Sequence, residues 1–112
     1  MSISNWSENI IVVELQDDPT FSDDMTALVD QLDRCHELDV VMNLSGVMYV
    51  NSSNIAKLLK ARKKIISNGR RLVMCGSATN VWGLFLVTGL DKVFEFADDV
   101  ANGLATVQLA AE

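Results

Sequence analysis

The residues best suited to chemistry gather in one short polar segment, Asn51-Ser52-Ser53-Asn54. It lies between an apolar approach, Met48-Tyr49-Val50, and a helical pattern traced by Ile55, Leu58, Leu59, Arg62, Ile65 and Ile66. The two hydroxyls therefore sit at or just before the unpaired amides of a helix start. Those N–H groups and the aligned peptide dipoles attract anions, so a phosphate carried on one of these serines meets donors at once. Ser52 is the better placed acceptor and Ser53 the alternative. A plainer role is open at the same positions, with Ser52 or Ser53 capping the helix while Asn51 and Asn54 satisfy neighbouring backbone groups.

Other constellations are thin. His36 is the only histidine, so neither a zinc-binding histidine cluster nor a two-histidine facial triad can form, and Cys35 beside it faces another way on a helix. The glycines Gly46, Gly69, Gly76, Gly83, Gly89 and Gly103 stand singly, without the spacing of a phosphate-cradling loop. No G-x-S-x-G elbow accompanies any serine. The pairs Asp17-Asp18, Asp23-Asp24 and Asp98-Asp99 fall at a turn or at helix starts, where capping and solvation account for them. Cys35 and Cys75 read as small buried hydrophobes. No catalytic residue, metal or cofactor is expected.

The elements that position the polar segment alternate. Asn9 to Leu15 is rich in β-branched residues and reads as a strand, and Gln16-Asp17-Asp18-Pro19 as the turn after it. Met25, Leu28, Val29, Leu32 and Cys35 recur at helical spacing, with Ser22 as the cap, and Asp23, Asp30 and Asp33 form a solvated acidic stripe. Val40 to Leu44 suits a strand covered on both faces. The helix after Asn54 stops at Asn68-Gly69, and Leu72 to Cys75 is the next strand. The last members of Gly76 to Asn80 cap a helix through Val81, Leu84, Phe85 and Thr88 that Gly89 closes. Val93 to Phe96 is a short strand, Asp98 or Asp99 starts a final helix using Val100, Leu104 and Val107, and the tail Leu109 to Glu112 is frayed. This order predicts an α/β fold with a mostly parallel or mixed sheet of about four to five strands and covering helices.

The chain has 112 residues, 49% of them apolar, enough for one core, so 1–112 is expected to be a single domain. Nine Lys and Arg against 15 Asp and Glu give a net charge of −6, which repels a phosphate backbone, so nucleic acid is not expected as a partner. Residues Met1 to Glu8 lack a basic signal region, and the longest apolar run, Val81 to Val87, is far too short for a bilayer. A soluble cytoplasmic protein without membrane contact is expected.

The chain resembles the STAS domain family of bacterial anti-sigma factor antagonists and sulfate-transporter tails. The resemblance is clearest over Val40-Val41-Met42-Asn43-Leu44-Ser45-Gly46-Val47, Tyr49-Val50-Asn51-Ser52-Ser53-Asn54 and Leu58-Leu59. It continues through Asn68-Gly69-Arg70-Arg71-Leu72-Val73-Met74 and Val87-Thr88-Gly89-Leu90-Asp91-Lys92-Val93-Phe94. In the family, aspartate-serine-serine-glycine precedes the second helix, and its first serine is phosphorylated by a cognate anti-sigma kinase. Ser52 matches that acceptor and Ser53 its neighbour, while Asn51 replaces the aspartate, Asn54 the glycine, and Asn43 the usual aspartate at the strand end.

The resemblance implies the STAS-like fold and a non-enzymatic role in partner switching. The partners would be an anti-sigma factor or related serine kinase and a phosphatase, and phosphorylation of Ser52 would break the contact by adding charge to a closing interface. Lys57, Lys60, Arg62, Lys63 and Lys64 crowd the helix after the motif, either complementing an acidic partner or simply solvated with their stems over apolar surface. Met48, Tyr49 and Trp82, with Phe85, offer an apolar docking rim, although most aromatics belong in a core. Asn51 and Asn54 leave a constitutive STAS scaffold subunit as an alternative. A small serine-dependent transferase or hydrolase is the remaining one, and it would need His36 within hydrogen-bond reach of a serine.

Overall fold

A computed structural model describes residues 2–111, with side chains described up to Leu109. Five strands, β1 (Ile3–Asn5), β2 (Ile10–Gln16), β3 (Asp39–Gly46), β4 (Leu72–Cys75) and β5 (Glu95–Ala97), form one sheet in the order β1-β2-β3-β4-β5. β1 pairs antiparallel with β2, and all other neighbours are parallel. Each parallel step crosses over through a helix: α1 (Thr20–Arg34), α2 (Ser52–Ser67) and α3 (Thr79–Thr88). A 3₁₀ turn (Leu90–Lys92) precedes β5, and α4 (Val100–Ala111) follows it.

The period of two along the strands sorts the core into two layers. Ile11, Val13 and Leu15 of β2, Val40, Met42 and Leu44 of β3, and Leu72 and Met74 of β4 face α1, α2 and α3, where Phe21, Met25, Leu28, Leu32, Leu58, Ala61, Ile65, Val81 and Phe85 meet them. Ile10, Val12, Val41, Val73 and Cys75 point the other way, against Val100, Leu104 and Val107 of α4. The unbroken apolar run of β3 is thus explained by helices on both faces. Gly103 lets α4 lie close on the sheet, since a Cβ there would stand 2.9 Å from Cγ1 of Val41.

Several local expectations are corrected. β1 is a strand that the sequence pattern did not mark. α1 starts at Thr20 rather than Ser22, and Ser22 is no cap: its amide and hydroxyl both donate to Oδ1 of Asp18, at 3.0 and 2.6 Å. The acidic stripe of α1 is not wholly solvated, because Asp33 accepts from Nζ of Lys64 at 2.7 Å and ties α1 to α2. The Lys64 hydrogen bond holds the Asp33 carboxyl below its ordinary range. On α2, Leu59 and Ile66 lie outside the core, and Asn54 and Ala61 complete its buried face. α3 has no side-chain cap; its residue before the first turn is Ala78, while Gly89 ends it at φ 76° as expected. Cys35 is only half-buried. α4 runs on to Ala111, so its helix includes most of the expected tail; Glu112 lies outside the described residues.

Candidate functional site

The polar segment forms the entry to α2, and its two asparagines build that entry. Asn51 is the N-cap: its Oδ1 accepts from the amide of Asn54 at 2.8 Å, and Oδ1 of Asn54 accepts from the amide of Asn51 at 3.1 Å. This reciprocal pair satisfies two donors that a helix start leaves open. Neither serine is therefore the cap, which corrects that expectation. The amides of Ser52 and Ser53 have no acceptor among the described residues and remain available to an anion.

Two neighbouring loops pin this entry from below. Oδ1 of Asp17 accepts from the amide of Met48 at 2.9 Å and, at a long 3.5 Å, from that of Tyr49. Oδ2 of Asp18 accepts from Nδ2 of Asn54 at 2.8 Å, so Asn54, only 3% exposed, serves the box with its oxygen and the β2–α1 turn with its nitrogen. The hydrogen bonds from Ser22 and then Asn54 hold the Asp18 carboxyl below its ordinary range, with a smaller aid from the Lys57 charge. From the other side, Nδ2 of Asn80 at the start of α3 donates to the carbonyl of Met48. Held by its backbone and by the half-buried Val50 against the core, the loop turns Met48 and Tyr49 outward, 56% and 65% exposed.

The serines differ. Ser53 Oγ accepts from Nζ of Lys57 at 2.8 Å, whereas the exposed Ser52 hydroxyl has no partner among the described residues. Helical spacing separates them further. Ser53, Lys57, Lys60 and Lys64 lie at steps of four, three and four on the flank toward α1, where Lys57 and Lys60 border a groove of about 220 Å³ with Met25, Thr26, Val29 and Asp30. Ser52, Ile55, Leu59, Arg62 and Ile66 lie on the opposite flank, where Nε of Arg62 donates to the carbonyl of Val93 at 3.1 Å. Of the cations that crowd α2, Lys57, Lys60 and Lys64 thus share the flank of Ser53, and Arg62 that of Ser52. Trp82 packs edge-on against Phe96, with ring centroids 4.9 Å apart, and borders a separate cleft with Gly76, Ser77, Ala97 and Asp98.

Asn43, matched to the strand-end position of the motif, is structural in the same way as the other asparagines. Its Nδ2 donates to Oε2 of Glu14 at 3.1 Å and its Oδ1 accepts from the amide of Ser45 at 3.0 Å. His36 is exposed at the end of α1 and makes no hydrogen bond to either serine among the described residues. Among those residues no group of three or more His, Cys, Asp and Glu is placed to hold a metal ion, and no helix is long and apolar enough to cross a membrane. Asp17, Asp18 and Asn80 are the site residues that sequence reasoning missed. The only local signal was a pair of carboxylates before a proline.

A family model described as the STAS domain matches residues 4–103. Solved structures share the fold at low identity. One is RsbS of Moorella thermoacetica, 18% identical, covering 97% of this chain and 95% of its own, at a TM-score of 0.82. A second is an anti-sigma-factor antagonist (STAS) domain protein of Planctomyces limnophilus, 15% identical, covering 95% of this chain and 96% of its own, at 0.82. A third is the Bacillus cell fate determinant SpoIIAA in its phosphorylated form, 11% identical, covering 94% and 96%, at 0.73.

Proposed function

The chain belongs to the STAS domain family, and we propose that it is a non-enzymatic, cytoplasmic protein-binding module of the anti-sigma factor antagonist kind, switched by phosphorylation of Ser52. The observation that carries this is the state of the Ser52 hydroxyl, exposed and unbonded in the first turn of α2 on a loop fixed by Asp17, Asn54 and Asn80. Ser53, by contrast, is engaged by Lys57. SpoIIAA, which shares the fold, is solved in both an unphosphorylated and a phosphorylated form, and this is in keeping with the same reading.

In the unmodified protein, Met48 and Tyr49 present apolar and aromatic surface beside Ser52 to a partner, an anti-sigma factor or related serine kinase. The row Lys57, Lys60 and Lys64 gives an otherwise acidic chain a local positive potential that steers an acidic partner. The partner kinase transfers the γ-phosphoryl group of ATP to Ser52 Oγ, with loss of the hydroxyl proton and release of ADP. The product carries about −1.5 to −2 added charges, whose desolvation and repulsion oppose the interface. A phosphatase restores the hydroxyl by hydrolysis, releasing inorganic phosphate.

Site-resolved phosphopeptide mass spectrometry on protein from its native cells, across growth and stress conditions, tests the switch. The expected result is a Ser52 phosphate whose stoichiometry changes with condition. A well-covered peptide that never carries phosphate would overturn the switch and leave a constitutive STAS scaffold subunit.

A further inference from the structure

Resting on the reading above, we propose that the partner docks an amphipathic, acidic helix on the flank of α2 formed by Ile55, Leu59 and Ile66 and continued by Val93, rather than on the lysine-lined flank toward α1. The spacing of Ser52, Ile55, Leu59, Arg62 and Ile66 alternates three and four, the seam one helix offers to another. Leu59 is 38% exposed, Ile66 48% and Val93 38%, so this face of α2 has apolar surface that its own fold leaves uncovered. The bond from Nε of Arg62 to the carbonyl of Val93 holds the segment after the 3₁₀ turn beside the seam and makes the surface continuous across two elements.

The charge on the rim names the occupant. Arg62 lies in this seam, Lys63 follows it on α2 and Lys92 precedes Val93 in the chain, and none of them is ion-paired among the described residues, where the paired cations are Lys64, Arg70 and Arg71. A positive rim on a chain of net charge −6 matches a partner that brings carboxylates around an apolar stripe. A two-fold dimer through the same face would bring Arg62 and Lys63 of both copies into one interface with no carboxylates supplied to match them. The lysine row on the other flank steers the approach without seating the helix, because Lys57 and Lys64 are already bonded to Ser53 and Asp33, and Asp30 in the groove opposes a carboxylate docked there. Ser52 heads the apolar seam, three residues before Ile55, so a phosphate there lies in line with the docked helix and faces its carboxylates.

The test places the photo-reactive residue p-benzoylphenylalanine in the full chain in place of Leu59, of Ile66 or of Lys60, cross-links in native cells, and sequences the joined peptides. Adducts at 59 and 66 in clear excess over 60, to a peptide with acidic residues interleaved with apolar ones at helical spacing, are expected. Phosphoserine encoded at position 52 should lower their yield at least tenfold. Adducts to this chain's own peptides, adducts chiefly at 60, or no adducts at any of the three positions would each overturn the docking face. Seam adducts indifferent to phosphoserine would support the face and overturn the Ser52 switch, so the two failures are distinct. With the partner identified, Leu59→Glu and Ile66→Glu in the full chain should each weaken its binding at least tenfold in calorimetry, and unchanged affinity in a folded variant would overturn the seam.

Discussion

Asn51→Ala removes the side-chain acceptor of the Asn54 amide while leaving the Asn51 backbone donor in place, so it breaks one arm of the box at the start of α2. Loss of an asparagine cap costs about 1 kcal/mol, within a range of about 0.5–2. For a chain of 112 residues, an unfolding entropy of about 2.1 cal/mol/K per residue makes 1 kcal/mol worth about 4 °C in melting temperature. Thermal and urea denaturation followed by circular dichroism should therefore place Asn51→Ala about 4 °C below the parent, with an unchanged urea slope. Asn51→Asp keeps an acceptor at the cap and adds a charge favoured by the helix dipole, so it should melt at or above the parent. Ser53→Ala, whose hydroxyl is exposed and bonded only to a lysine, should stay within about 0.5 kcal/mol, or about 2 °C. Equal losses for Ser53→Ala and Asn51→Ala, or a silent Asn51→Ala, would refute the assignment of the cap to the asparagine pair.

The Asp18 carboxyl is held low by Ser22 and Asn54, so its stabilising effect is present above the unfolded value of about 3.9 and lost as pH falls through the lower folded value. Melting temperatures across the acid range should fall less steeply for Asp18→Asn than for the parent, and superimposable profiles would remove Asp18 as a tie. Gly103→Ala gains up to about 1 kcal/mol of helix propensity but drives a methyl into Val41, an overpacking cost of about 1–3 kcal/mol, so a net loss is expected in urea denaturation. A more stable variant would show that Val41 yields freely. Burial, then the charges of Asp99 and Glu14, pushes the Cys75 thiol up to about 11, so an aromatic disulfide reagent near neutral pH should titrate Cys35 in the folded protein and Cys75 only after unfolding. Two rapid thiols in the native state would contradict that burial.

The α/β alternation was legible because β2 is dense in β-branched residues, β3 and β4 carry near-continuous apolar runs, and α1 and α2 keep their apolar period. β1 was not, since Ile3–Asn5 is short and gains its place through backbone pairing with β2, which leaves little trace in side-chain type. Four polar residues in a row identified the entry to α2, but not which of them caps it, because serine and asparagine accept the same amide about equally well. Asp17, Asp18 and Asn80 act on atoms more than thirty residues away, at Met48 and Asn54, and only the packing of the β2–α1 turn and of α3 around the β3–α2 loop brings them there. The division of the α2 cations was hidden for a similar reason: composition counts a basic helix, whereas contact with Asp33 and with Val93 assigns its sides.

A cap made of two carboxamides has no titrating group and no net charge. The first turn of α2 therefore brings no formal charge of its own to the unmodified interface, and the salt dependence of binding in that form comes from the cations further along the helix. A phosphate added to Ser52 is different, because its field reaches about 10 Å at 0.1 M ionic strength and shrinks as salt rises. The gap between the two forms is then set by the ionic composition of the surroundings, widest in dilute solution and narrowing under osmotic load, whereas an aspartate cap would carry a salt-dependent charge in both forms and blur the distinction.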